Sequence, residues 1–386
     1  MILVNNPGSW SAMYPPLTHA KWHGWTPTDL VFPFFLFAVG NSLAFVMKGA
    51  ATSSSAAFWT RVFRRTLLIF LIGLALNASP FVRWNEQNEL VMKNWDTLRF
   101  LGVLQRIALS FGAAASIVWL CDRGRNRTAV MAVSMFLLIG YWGACRFGGA
   151  TEDVYSLEGF FGTHIDRWLL GTSHLYRGEG VPFDPEGLAS TIPAIAQVLI
   201  GWLVGQKIAA SRPNLDLIAS LCLWSFGLLV TAYVWQWEMP INKKIWTSSF
   251  VLLTSGLAIS FLCCCIYWLD VYVSPKASDA DLHSADSHRG WKWAWASFFE
   301  VFGKNPLFIF VLSGLVPRCL DLLRWQVGAK ADESPIWMTP LGWLKGLVMS
   351  ISSDPRLGSL LYSVLLLAVY WLIVFVMDRK HIYVRV

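Results

Sequence analysis

Charge is scarce in this chain. Asp, Glu, Lys and Arg make up 14% of 386 residues, against about 25% in an ordinary soluble domain. Cysteine is sparse and unpatterned: seven in all, with no C-x-x-C, and Cys263, Cys264 and Cys265 lie together in an apolar run. That excludes a disulfide framework or a zinc ribbon and leaves them as small apolar side chains. Cys145 and Cys319 both fall near expected outer ends of spans, so a bridge between them stays open. There is no Walker A loop, no G-x-S-x-G elbow and no G-x-G-x-x-G turn, which argues against a pump driven by ATP from this chain. Although the net charge is +7, no basic run carries interleaved aromatics and no zinc-finger or RNA-binding signature occurs, so a nucleic-acid partner is not expected.

Apolar residues are abundant: 55% of the chain, with a mean hydropathy of +0.48. They arrive in runs, and a run of about 20 mostly apolar residues crosses the hydrocarbon of a bilayer. Full spans are predicted at 30–47, 63–82, 98–121, 128–146, 188–207, 214–235, 246–270, 294–316 and 357–377. The stretch 341–352 is too short to span and reads as interfacial or re-entrant. Met1–Val4 reads as the last turn of an apolar helix whose beginning is missing, through a misassigned start or a lost half-span. No basic n-region or cleavage site marks a signal peptide. The expected fold is therefore all-α: a single polytopic transmembrane bundle over 1–386, with about nine full spans, a truncated first span and one short interfacial or re-entrant helix.

Orientation follows from Lys and Arg in the short loops. With 48–65 inside, alternation places 122–127, 207–216, the loop 271–293 and the tail from Asp378 inside, and these short segments hold 15 of the 31 Lys and Arg. The acid-rich loop 147–187 falls outside. So do 5–29 and 238–246, leaving three polar stretches from distant parts of the sequence free to meet on one face. The expected location is a bacterial inner membrane with the C-terminus cytoplasmic and His19 on the outer side.

Four constellations can carry chemistry. The first runs from Asn5 through His19, Trp22, His23 and Trp25 to Asp29. Histidine suits general-base work near neutral pH, and the two tryptophans can shield it. Alternatively, His19 and Trp22 anchor the chain at headgroup level. A zinc site on His19 and His23 lacks a third ligand, so no metal is expected. Thr26-Pro27-Thr28-Asp29 is also a helix start, in which Asp29 serves the helix N-terminus without further function. The second is Phe183-Asp184-Pro185-Glu186-Gly187, read as a cap with a first-turn carboxylate or as a carboxylate that holds a sugar hydroxyl or ammonium. The third is Asn242-Lys243-Lys244-Ile245-Trp246-Thr247: two lysines on the outer face, binding an anion or Glu186, or a solvated loop with Trp246 in the aromatic belt. The fourth is intramembrane: Arg106, and Glu300 with Lys304 four residues on, in the favourable order for pairing. Ionisable groups at that depth mark a pathway or site, or lock helices together. Pro306, after Asn305, should kink its span.

The run Val4-Asn5-Asn6-Pro7-Gly8, followed by His19-Ala20-Lys21-Trp22-His23-Gly24-Trp25-Thr26-Pro27-Thr28-Asp29-Leu30-Val31-Phe32-Pro33-Phe34, resembles the heparan-α-glucosaminide N-acetyltransferase family and its bacterial NagX-type transmembrane acyltransferase relatives. So do Gly102-Val103-Leu104-Gln105-Arg106, Phe183–Gly187, Asn242–Thr247 and Gly303-Lys304-Asn305-Pro306, in family order. The resemblance implies a transmembrane acetyltransferase that takes acetyl from cytoplasmic acetyl-CoA to the amine of a glucosamine-type sugar at the far face. It puts the active histidine at His19 and a neighbouring asparagine at Asn5. On this reading Asp29, Glu186, Lys243 and Trp246 meet the sugar. Arg106, Lys304 and Asn305 meet the donor, with Arg61, Arg64 or Arg65 near its phosphates. The expected partners are the bilayer, acetyl-CoA and an amino-sugar acceptor, with a homo-oligomer left open. An amino-sugar or oligosaccharide transporter without chemistry, and a non-catalytic scaffold, are the alternatives. The family's usual Ser/Asp-x-x-Arg-Gly stretch upstream of Val4 has no counterpart in this sequence.

Overall fold

The computed structural model describes residues 1–50, 54–272, 296–329 and 335–384. Most of the expected cytoplasmic loop 271–293, and Arg385, lie outside the described residues. In chain order the helices are α1 Ile2–Asn5, α2 Val31–Ala50, α3 Ser55–Ala78, α4 Val103–Leu120, α5 Arg127–Gly148, α6 Phe161–Leu170, α7 Thr191–Ala210, α8 Leu215–Trp235, α9 Ser248–Ile266, α10 Ala296–Lys304, α11 Pro306–Leu320, α12 Pro340–Met349 and α13 Pro355–Arg379. The chain divides into two compact units. A central unit holds His19–Asn77 and Asp96–Lys276, and a terminal unit holds Met1–Thr18, Ala78–Trp95 and Ala277–Val386.

Among the described residues seven helices are long and apolar enough to cross a membrane: Pro27–Met47, Val103–Leu120, Arg127–Gly148, Thr191–Ala210, Leu215–Trp235, Ser248–Tyr272 and Pro355–Arg379. The bent pair α10–α11 makes an eighth if it is one span. The nine expected from sequence are not reached on length and composition. α3 is a 24-residue helix, but it carries Arg61, Arg64 and Arg65 in its first half. The predicted 294–316 span is broken by 80° at Asn305, where Pro306 opens α11 as its first residue; this is the expected kink. Helix α12, of 10 residues, would rise only about 15 Å, too little to cross.

Two small hairpins depart from the all-α expectation. Val82–Trp84 (β1) pairs antiparallel with Leu90–Met92 (β2), and Trp325–Ala329 (β3) with Pro335–Met338 (β4). The predicted span 63–82 therefore overshoots: α3 stops at Ala78, and Phe81 turns the chain with φ 68°. The predicted span 98–121 starts early, because α4 begins only at Val103.

In the central unit α2 packs closely on α7 through glycine. A side chain at Gly40 would run into the Val198 carbonyl, and one at Gly201 into the Phe37 carbonyl. Small residues at a crossing let backbones approach and gain dispersion contact where lipid offers no hydrophobic drive. The loop 147–187 is no solvated spacer. It contains α6, and its Tyr155, Phe160 and Phe183 are buried with Tyr141, Met239 and Ile245 in one apolar cluster. In the terminal unit Tyr362, Leu366, Tyr370 and Val374 form one stripe of α13, buried with Ile2, Ile309 and Val348. The four-residue spacing puts them on one helix face.

Candidate active site

The segment 19–29 is built by its own helix start. Thr26 and Asp29 form a capping box ahead of α2, with Pro27 in the first turn. Asp29 is 1% exposed, and five donors converge on it. Oδ2 accepts from Ala20 N–H (3.0 Å), Thr26 N–H (3.0 Å) and the Thr26 hydroxyl (3.1 Å). Oδ1 accepts from His19 Nδ1 (2.6 Å) and from Lys243 Nζ (3.1 Å). The capping role expected of Asp29 is therefore real, and the same carboxylate also grips His19.

The tautomer follows. A carboxylate with this donor set only accepts, so the proton of the 2.6 Å contact sits on His19 Nδ1. Lys243 Nζ, 3.2 Å from Nδ1, then has no lone pair to meet there and donates its hydrogen bond to Asp29 Oδ1. The lone pair of the neutral ring is left on Nε2, which has no hydrogen-bond partner among the described residues. The His19 side chain is 45% exposed while its Asp29 partner is buried. A ring fixed at one nitrogen and open at the other can take a proton or attack a carbonyl carbon.

Lys243 is delivered by a tightly bound loop. Gly24 N–H donates to Ile241 O (2.8 Å), and Gly24 bridges Asn242 in parallel. Gly24 holds φ +91°, which suits glycine. Asn242 is fully buried; its Oδ1 accepts from Lys244 N–H (2.7 Å) and Ile245 N–H (3.2 Å). Burial pushes the Lys243 ammonium below the usual lysine range, and Asp29 pulls it back toward the charged form. The sequence offered Glu186 or an anion as the partner of Lys243; the structure gives Asp29. Lys244 pairs with Glu179 (2.6 Å) and lies over Trp22, whose indole donates to Tyr155 O (2.9 Å).

Trp246 is neither in an aromatic belt nor on a surface. It is 1% exposed, with φ 51°, and its indole N–H donates to Gln197 Oε1 (3.1 Å). Phe32 meets it edge-on at 5.0 Å, and the Arg106 guanidinium stands 4.9 Å from its ring centre. Arg106 is 1% exposed, and its Nε and Nη1 find no hydrogen-bond partner. Glu186 does not stand free: Arg99 Nη2 donates to it at 2.5 Å. The same guanidinium makes a two-pronged contact with Asp184, at 2.6 and 2.8 Å. Burial works against the Arg99 charge, but these two carboxylates outweigh it and raise its pKa. Arg99 and Asp166 were missed as site neighbours; the only local sign was an arginine at the outer end of a span, just before Gly102.

In the terminal unit Asn5 is exposed at the end of α1. The expected Glu300–Lys304 pair is present at 3.1 Å, and Lys304 also meets Asp378 at 3.0 Å. Asn305 is fully buried, donating to Ile382 O (3.1 Å) and accepting from Val384 N–H (2.8 Å). Cys145, in the central unit, is a buried thiol and Cys319, in the terminal unit, an exposed one. Arg65 lies over Phe111 at 4.8 Å, and the Arg61 Nε donates to Ala57 O within its own helix. Among the described residues no three His, Cys, Asp or Glu side chains are grouped for a metal.

Heparan-alpha-glucosaminide N-acetyltransferase of Homo sapiens is 26% identical over 311 residues, which is 68% of this chain and 45% of the human protein. That of Mus musculus is 26% identical over 312 residues, 68% of this chain and 46% of the mouse protein. The chain is similar to these N-acetyltransferases over about two thirds of its length. It spans less than half the length of the N-acetyltransferases it matches. No protein-family model matches it. The name of these human and mouse proteins describes acetyl transfer to a glucosaminide nitrogen.

Proposed function

We propose that this chain is a membrane acyltransferase that moves acetyl from acetyl-CoA to the amine of an amino sugar, with His19 at the reacting centre. The observation that carries the reading is the His19–Asp29 contact of 2.6 Å, with Lys243 on the same carboxylate. Likeness to proteins named N-acetyltransferases supports the reaction class.

Acetyl-CoA, when bound, supplies the acetyl thioester. His19 Nε2 takes the proton that the attacking amine loses and hands it to the departing sulfur. Alternatively, Nε2 itself displaces the sulfur as a thiolate, carries the acetyl group and passes it to the amine, whose lost proton returns through Nε2 to the thiolate. In both routes the ring becomes cationic, and Asp29 stabilises that charge through Nδ1–H. Lys243 and the capping box keep Asp29 in place. Asn5 is assigned to the thioester oxygen, and Glu186, Lys243 and Trp246 to the sugar side. Trp246 acts from beneath, by holding Arg106 and the 242–247 loop. The unpartnered, buried nitrogens of Arg106 fit a carbonyl or phosphate oxygen of the donor. The Arg65 Nε, also buried and unpartnered, is a further candidate beside Arg61 and Arg64. A donor reaching Lys304 and Asn305 would have to displace Glu300, Asp378 and the backbone at Ile382 and Val384.

The reading includes a single transmembrane domain of nine spans, obtained when α3 and the α10–α11 pair are counted with the seven apolar helices. It places His19 outside, the C-terminus inside and the chain in a bacterial inner membrane, of the NagX type, with self-association open. Thermal stability of the detergent-purified chain tests it. Acetyl-CoA should raise the melting temperature saturably, as any ligand of the folded state does. A rise with glucosamine alone would favour a transporter, and no rise with either would sink the transferase.

A further inference from the structure

The segment from Asp184 to Ser190, which leads into α7, is gripped from three directions. Arg99 holds Asp184 and Glu186. Arg106 Nη2 donates to Gly187 O (3.3 Å) and to the Ser190 hydroxyl. From α6, Asp166 Oδ1 accepts from Leu188 N–H at 2.9 Å. Any side chain at Gly187 would collide with the other oxygen of Asp166. Asp166 is 3% exposed, Asp184 2% and Arg106 1%.

The charges facing Asp166 do not balance. Three carboxylates (Asp166, Asp184 and Glu186) share two guanidiniums, those of Arg99 and Arg106. From α5, Tyr141 contributes a neutral phenol. On α6 itself, Arg167 is engaged by Glu158 (2.7 Å) and His164 by the Glu158 carbonyl (3.0 Å). Arg99 serves Asp184 and Glu186, and Arg106 gives Nη2 to Gly187 and Ser190 while none of its nitrogens bonds Asp166. Asp166 is thus the carboxylate left with a backbone N–H and no ion pair. A buried surplus charge is costly, and one proton on Asp166 makes the cluster neutral.

We propose that Asp166 is a proton-operated positioning residue: with its proton it holds the 184–190 segment, and Glu186 with it, in the described arrangement, and on losing the proton it loosens that grip. Burial, seconded by Asp184, pushes Asp166 up to about 6 against the Leu188 hydrogen bond and Arg106, so the change falls within an ordinary working range. The proton is exchanged with water and no covalent step is involved. That Glu186 then meets the amino sugar rests on the transferase reading; the grip itself does not.

Amide hydrogen exchange over 184–190, corrected for the intrinsic pH dependence, tests the grip on the full chain in detergent. In the wild type, protection there should fall by about tenfold between pH 5 and pH 7.5, while Asp166→Asn keeps it level. Equal wild-type protection at both pH values would overturn the proposal, and this comparison stands even if the variant fails to fold. Kinetics then test the positioning. The wild-type-to-variant ratio of KM for glucosamine should rise severalfold with pH while the kcat ratio stays level, and the acceptor amine's own titration cancels in both. A level KM ratio beside a pH-dependent grip overturns the link to Glu186. If the wild type transfers no acetyl at all, the transferase reading falls and the exchange result alone judges the grip.

Discussion

Lysine meets carboxylate in both units of this chain, in opposite settings. In the terminal unit Lys304 lies between Glu300 and Asp378, with its side chain 34% exposed and that of Glu300 59%. Its neighbour Asn305 spends its side-chain amide on the backbone at Ile382 and Val384. Nothing there is left open, and the arrangement reads as a lock on the tail. In the central unit Lys243 meets an Asp29 side chain that is 1% exposed, and the same carboxylate holds a histidine whose far nitrogen is unused. Exposed pairs contribute little to stability because water screens them. A buried carboxylate must be satisfied, and one donor of its set is a group that can react. The same pairing chemistry therefore serves as a tie in one unit and as an orienting device in the other.

Substitutions can break that comparison. The largest effect belongs to His19→Ala, expected to lower acetyl transfer by about 10³-fold or more with little change in melting temperature, since the ring is half exposed. Asp29→Asn comes next. It keeps the size but loses the charge, and transfer should fall by about 10²-fold. Because the capping box and a buried hydrogen-bond set go with it, stability should fall by about 1–3 kcal/mol, read from denaturant unfolding. Lys243→Met should cost transfer about tenfold by freeing Asp29. Lys304→Met should leave transfer within about twofold of wild type; a loss as large as that of Lys243→Met would erase the distinction between the two units. The smallest effect is the pH dependence of melting. Asp166 has a folded-state pKa raised to about 6, so its contribution is present at low pH and lost as pH rises through about 6. Melting temperature should decline across that window in the wild type and less steeply in Asp166→Asn.

What the sequence disclosed was mostly local. Apolar runs located the membrane helices, the Glu300–Lys304 spacing foretold its ion pair, and Pro306 foretold the break after α10. The helix-start pattern at Thr26–Asp29 gave the capping box, but a cap and a functional carboxylate look alike in sequence, and here one carboxylate both caps the helix and holds His19. Long-range pairings were not legible. Lys243 reaches Asp29 across 214 residues, and Arg99 reaches Asp184 across 85; no periodicity signals such a meeting. The belt alternative for Trp246 rested on how often tryptophan sits at an interface, yet its indole is buried on Arg106 and Gln197. The hairpins escaped notice because their strands, of three to five residues, are shorter than any window that reveals alternation.

The central claim is that His19, held by Asp29, performs the transfer. Its most direct test is the rate of acetyl transfer from acetyl-CoA to glucosamine by purified wild type and His19→Ala, with folding matched by melting temperature. The account predicts measurable transfer by the wild type and a loss of about 10³-fold or more in the variant. Equal rates in the two proteins would contradict it.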